Sequence, residues 1–315
     1  MPKRDFVHTT NFTKADYEEV LRRMKLFDDG VKAGKDFAHL MRGKVLATLF
    51  LKESTRTMTA FQSAITRLGG GWTGLTGVGG TYLATGEEDI GDIVQSIAEV
   101  ADIMVLRYND CDPFDLAKKI HIPLINGMCG GDEHASGALT MMYPWYKRFG
   151  TLQNKTIGMY GMVSSSRPMK AILSAGANFG VKFVIDPVVD VFKTPAHIEK
   201  IAYERGATIE YRPVDEWIGD ADGIIWVEGL PQTGEPQANV DAFNAKFHQF
   251  VPTDFARMKP SAVVSAVMPR MTTDGRLTMS KDCDTHPQNV SFEALQSFQY
   301  VAMSLMTYLL GIEIE

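Results

Sequence analysis

Residues 44–51 read Lys-Val-Leu-Ala-Thr-Leu-Phe-Leu, an apolar run without polar alternation. A strand of that kind shows neither face to water, which is the situation of a parallel strand covered on both sides by helices. Beyond it comes Ser54, and then Ala60, Phe61, Ala64, Ile65 and Leu68 recur at helical spacing until Gly69-Gly70-Gly71 stops them. Strand, polar turn and helix recur down the chain. Thr13 caps a first helix running toward Gly30 or Gly34, with Tyr17, Val20, Leu21, Met24 and Phe27 on its inner side. Residues 90–101 read as a helix, 102–106 and 123–126 as strands, and 134–149 as a long helix. Further strands are expected at 156–160, 182–185, 208–211, 223–227 and 262–267, and Pro168 opens a helix to Phe179. An amphipathic helix closes the chain over 292–310. The alternation predicts an α/β protein with two doubly wound domains and parallel sheets, ligands sitting in the cleft between them.

At 315 residues, 45% hydrophobic and 22% charged, the chain has material for two such cores. Gly150 and Asn154 mark the expected boundary. One domain covers residues 1–149, with residues 291–315 packing back on it, and the other covers 150–290.

Composition removes several classes of function. A net charge of −6 argues against a general nucleic-acid binder. No apolar run approaches the roughly 20 residues that span a bilayer, and no apolar signal core follows Lys3-Arg4, so a cytoplasmic protein is expected. Cys111, Cys129 and Cys283 form no CxxC pair and read as structural thiols in a reducing compartment. The seven His show no HxH or HxxxH clustering, so neither a metal nor a cofactor is predicted. Residues 76–88, with Gly77, Gly79, Gly80 and Gly86, read as a loop, either a plain connection or a lid reaching a neighbouring subunit.

In open parallel sheets, ligands bind beyond the carboxyl ends of the strands. Ser54-Thr55-Arg56-Thr57 stands at such an end, offering hydroxyls, helix-start amides and a planar guanidinium to an anion. Ser54 alone would also fit as an N-cap. Arg107 follows a buried strand, and His134 starts a helix where a neutral imidazole could donate to a carbonyl oxygen. In the second half, Ser164-Ser165-Ser166-Arg167 repeats the strand, polar turn, helix arrangement, with a guanidinium able to clamp a carboxylate. Met268-Pro269-Arg270 follows the apolar run 262–267, in a turn whose carbonyls could face an NH₂ group.

These residues resemble the aspartate and ornithine carbamoyltransferase family, most closely its aspartate branch, over nearly the whole chain. The resemblance is carried by Glu53-Ser54-Thr55-Arg56-Thr57 with Phe61 and Arg67-Leu68-Gly69. Arg107, Pro123-Leu124-Ile125-Asn126 with His134, Arg167, Met268-Pro269-Arg270 and Phe298-Gln299-Tyr300 complete it. It implies that Ser54, Arg56, Thr57 and Arg107 hold the phosphate of carbamoyl phosphate. Thr55, Arg107 and His134 would polarise its carbonyl, the backbone at Met268-Pro269 would accept from its NH₂, and Arg167 would grip the acceptor's carboxylate. It also implies a homotrimer, and attack of a neutral amine on the carbamoyl carbon with Arg56, Arg107 and His134 as the catalytic set.

Several positions depart from the family pattern. Met58 stands where a second Arg is usual, and His-Pro-x-Gln reads His134-Ala135-Ser136-Gly137. Ala84-Thr85-Gly86 lacks the lysine of the aspartate branch, and the ornithine branch's loop motifs are absent. Glu228, near the place of an Arg for aspartate's side-chain carboxylate, would repel that group and favour a cationic or neutral one. Two other readings compete: a catalytically degenerate paralogue that binds the anion as a sensor or assembly protein, and an NAD-dependent dehydrogenase. The second has only Gly158 and Gly161 in place of GxGxxG.

Overall fold

The computed structural model describes residues 3–79, 81–227, 234–270 and 275–314. In chain order the elements are α1 (Lys14–Lys32), β1 (Val45–Phe50), α2 (Arg56–Arg67), β2 (Gly71–Thr76), α3 (Ile90–Ala98), β3 (Ile103–Arg107), α4 (Pro113–Lys119), β4 (Leu124–Asn126) and α5 (Ala135–Phe149). Then follow β5 (Thr156–Tyr160), α6 (Arg167–Ala177), β6 (Lys182–Asp186), α7 (Ala196–Glu204), β7 (Thr208–Tyr211), β8 (Gly223–Trp226), α8 (Gln237–Lys246), β9 (Val263–Ala266) and α9 (Ser291–Leu309). The chain divides into two compact units, Met1–Tyr143 with Leu295–Glu315, and Pro144–Ala294. The division falls inside α5 and α9, earlier than the turn at Gly150 that the sequence suggested.

The first unit holds a parallel sheet of order β2-β1-β3-β4. Side chains alternate across it. Ala47, Leu49, Met104, Leu106 and Leu124 bury one face against Ile93, Val94 and Ala98 of α3 and Leu116 and Ala117 of α4. Beyond β4 the N-terminal segment adds itself to the sheet, the Phe6 amide donating to Leu124 O and the Asn126 amide to Phe6 O, both at 2.9 Å. The last helix returns to this unit, where Ser297 Oγ donates to Thr140 O at 3.0 Å and Arg23 to Ile312 O at 2.8 Å.

Two elements here were not legible in advance. β2, Gly-Trp-Thr-Gly-Leu-Thr, is exposed along most of its length and owes its shape to the ladder with β1. Gly74 has φ +153 there, and a Cβ on it would stand 2.0 Å from Thr48 O, so only glycine allows the approach. The short α4 is held by Asp112, whose side chain accepts from the Phe114 amide at 2.8 Å ahead of Pro113 at the helix start.

The second unit is a parallel sheet of order β7-β6-β5-β8-β9. Tyr160 and Trp226, the facing last residues of β5 and β8, stack at 4.1 Å over a core that includes Trp217, Phe243, Phe247 and Phe250. α7 and α8 also went unread from sequence. The strand order reverses between β1 and β3 in the first sheet and between β5 and β8 in the second, the places where α/β sheets open a crevice at their carboxyl ends.

Gly158 sits in the middle of β5, and a Cβ on it would lie 2.2 Å from Cζ3 of the fully buried Trp217. Gly158→Ala is therefore expected to destabilise the protein by about 1–3 kcal/mol through overpacking. Thermal unfolding should show it as a melting temperature lower by several degrees.

Candidate active site

β1 runs into a turn, and α2 begins at Arg56, two residues beyond Ser54. The N-cap is Thr55, whose backbone is already helical (φ −82, ψ −52) and whose side chain caps nothing. The amides of the first turn have no intrahelical partner, and they form the positive end of the helix. Ser54 Oγ is shielded from solvent and has no hydrogen-bond partner. The capping role open to Ser54 is therefore not the one it plays. A shielded hydroxyl left unpaired costs about 1–3 kcal/mol, a cost removed when a ligand accepts from it. Thr57 is buried at 3% exposure, while Arg56 is exposed.

Arg107 is the last residue of β3 rather than the first after it, and stands in register with Phe50, the last residue of β1. The Leu51 amide donates to Arg107 O at 3.0 Å, continuing the pairing into the turn that leads to Ser54. The strand pairing thus brings two of the predicted clusters to neighbouring strand ends at the first sheet's reversal point. Arg107 is half-buried at that strand end.

His134 reaches the same end of the sheet by way of β4. It is 7% exposed, and its Nδ1 accepts from the Gly137 amide at 3.3 Å, closing the start of α5. An imidazole nitrogen that accepts carries no proton, so a neutral ring presents its N–H at Nε2. The loop before it is held from two sides. Asn126 Oδ1 accepts from the amides of Met128 (2.7 Å) and Cys129 (2.6 Å), while Asn126 Nδ2 donates to Val7 O at 2.7 Å. Glu133, 5% exposed, accepts at Oε2 from the Thr9 amide (2.9 Å) and Thr9 Oγ1 (3.0 Å), with His8 Nε2 at 3.0 Å. Glu133 is a supporting residue that the sequence does not single out. Its partners lie at the N-terminus, and nothing local in the sequence links them.

In the second unit Arg167 is the first residue of α6, following Ser166, whose side chain accepts from the Met169 amide at 3.5 Å. It is half-buried at the carboxyl end of β5, beside that sheet's reversal point. Glu228 lies outside the described residues. Met268 and Pro269 follow β9 and are joined by a cis peptide. Arg270 is 8% exposed and engages both carboxylate oxygens of Asp284, one at 3.1 Å. That clamp makes Arg270 a support of the turn rather than a ligand group. In the 76–88 segment Tyr82–Ala84 form a short 3₁₀ turn with Tyr82 67% exposed. Thr85 Oγ1 lies 2.9 Å from both Tyr82 O and Glu87 Oε2.

A profile of the family described as "Aspartate/ornithine carbamoyltransferase, carbamoyl-P binding domain" matches residues 4–147. Among curated relatives, the aspartate carbamoyltransferase catalytic subunit of Thermococcus gammatolerans is 31% identical over 65% of this chain, a match spanning 66% of the relative's length. That of Methanopyrus kandleri is 27% identical over 98% of this chain and 97% of its own. The fold is shared with a crystal structure of Trypanosoma cruzi aspartate transcarbamoylase in complex with carbamoyl phosphate and aspartate (TM-score 0.85, 18% identity, 97% and 95% of the two chains). It is shared equally with ornithine carbamoyltransferase from Pyrococcus furiosus (TM-score 0.85, 22% identity, 100% and 99%).

A Cβ on Gly137 would lie 2.7 Å from both Cγ and Cδ2 of His134, so any side chain there must move the ring. For Gly137→Ala, losing the cap costs about 1 kcal/mol and the gain in helix propensity returns about as much. Stability should therefore stay nearly level while the His134 ring signals shift in NMR spectra. An unmoved ring would contradict the geometry.

Proposed function

The chain belongs to the aspartate/ornithine carbamoyltransferase family, and from that premise we propose that it moves the carbamoyl group of carbamoyl phosphate to the amine of an amino-acid-like acceptor, releasing phosphate. The observation that carries this is the uncapped start of α2, where the unpartnered Ser54 hydroxyl stands next to the strand end bearing Arg107. In this reading Ser54, Arg56, Thr57 and Arg107 take the phosphate oxygens. Thr55, Arg107 and the Nε2–H of His134 draw charge onto the carbonyl oxygen as the neutral amine attacks the carbamoyl carbon. Backbone carbonyls at Met268-Pro269 accept from the carbamoyl NH₂. The barrier falls through positioning and through donors fixed before the charge develops, with no covalent intermediate on the enzyme. The first unit is then the donor domain and the second the acceptor domain.

Arg167 is assigned to the acceptor's carboxylate. Glu228 argues for an acceptor whose remaining group is cationic or neutral rather than the carboxylate of aspartate. A cytoplasmic homotrimer is part of the same proposal. A second reading, a paralogue that binds the anion without turnover, is favoured by one feature. Gly137 stands where the family pattern has a glutamine, and a Cβ there would lie 2.7 Å from the His134 ring.

Arg56→Ala is expected to lower kcat/KM for carbamoyl phosphate by roughly 10- to 150-fold, the worth of a charge-assisted hydrogen bond. Unchanged kinetics would remove the assignment. A panel of amines assayed for ureido products tests the acceptor. Turnover of an acceptor other than aspartate is expected, and activity confined to aspartate would refute the argument from Glu228. Thermal stabilisation by carbamoyl phosphate with no turnover of any amine would select the second reading.

A further inference from the structure

Cys111 and Cys129 are separated in sequence by α4 and β4, yet the fold makes them neighbours. Cys129 is part of an apolar cluster in the first unit, and partly buried Cys111 packs against that same cluster. Each sulfur is also 3.2 Å from a main-chain carbonyl, Cys129 Sγ from Leu106 O and Cys111 Sγ from Tyr108 O. Those two carbonyls belong to the residues immediately before and after Arg107. The thiol pair therefore brackets the guanidinium assigned to phosphate.

We propose that Cys111 and Cys129 are an oxidative modification site, closed by a hydroperoxide to an intrachain disulfide that weakens anion binding through Arg107. The two thiols are suited to different steps. Cys111 is only partly buried, and the neighbouring Cys129 thiol holds its pKa below the usual thiol value. Cys129 is 2% exposed, and the Cys111 thiol together with burial pushes its pKa well up. The Cys111 thiolate attacks one oxygen of hydrogen peroxide, forming S–O as O–O breaks, and the departing hydroxide takes up a proton as water. The Cys129 sulfur then attacks the sulfenic sulfur of Cys111. S–S forms as S–O breaks, and the leaving hydroxide takes the Cys129 proton. Two thiols and one peroxide give one disulfide and two waters. The product has no S–H to donate to Leu106 O or Tyr108 O, and it ties the loop after β3 to the loop after β4. The end of β3 that carries Arg107 must readjust.

The coupling rests on the carbamoyl phosphate reading; the disulfide does not. The full chain would be treated with hydrogen peroxide, blocked with an alkylating reagent and mapped by peptide mass, and carbamoyl phosphate affinity would be measured before and after. A linked peptide containing Cys111 and Cys129, opened by dithiothreitol, is expected, with affinity lower by about 5- to 150-fold, the range of a coupling between two sites. Cys111→Ser should bind as the reduced parent does and ignore peroxide; Cys129→Ser should leave Cys111 as a sulfenic or sulfinic acid. Oxidation of Cys111 in the parent without the link would overturn the proposal, and so would a linked protein that binds carbamoyl phosphate as the reduced form does. Reduced parent protein that fails to bind carbamoyl phosphate faults the functional reading instead, and the mass map still decides the link.

Discussion

The arrangement at the carboxyl end of the first sheet depends on β1 and β3 pairing in parallel, with Phe50 opposite Arg107. That register brings the start of α2 and the Arg107 guanidinium to one edge, although α2, β2 and α3 lie between them in sequence. Two electropositive groups brought together on folding repel each other. The sheet overcomes this because its stability comes from elsewhere, from strands whose side chains, Leu46, Ala47, Leu49 and Ile103 to Leu106, are entirely buried. A packed sheet can thus hold these two groups together and leave the Ser54 hydroxyl shielded and unpartnered.

His134 depends on a different kind of support. Its loop has no regular structure, so hydrogen bonds hold it, and several of them reach the first dozen residues of the chain. Asn126 joins β4, the loop and Val7 through one side chain, and Glu133 gathers its donors from His8 and Thr9. A buried carboxylate is tolerated only when it is supplied with donors in this way. The N-terminal segment is therefore part of the site's framework as well as an extra edge of the sheet. Gly137 completes the arrangement by leaving the imidazole room to close the helix.

The elements read from the sequence are those that carry their own signal. Apolar runs such as 44–51 and 262–267 gave strands, and helical periodicity with a cap, as at Thr13, gave helices, with ends off by one to three residues. Misses occurred where the signal was weak or lay elsewhere. β2 has glycine at two of its six positions and forms because β1 offers it a ladder. α4, α7 and α8 are short, and periodicity over two or three turns is hard to tell from chance. At the site, the polar residues at strand ends were visible one at a time. Met58, Gly137 and Glu228 were visible as departures, while the support given by Asn126, Glu133 and His8 was not.

What the sequence alone determined is the chemistry available and the class of fold. Burial on two faces demands parallel strands, and Ser, Thr and Arg at the strand ends supply groups suited to an anion. What the tertiary structure decided is adjacency. It set which strand ends are neighbours, left the Ser54 hydroxyl unpartnered instead of capping α2, and brought two cysteines distant in sequence to one apolar cluster. The physical reason is that periodicity and capping act over a few residues, whereas sheet order and long-range hydrogen bonds are settled only when the whole core packs.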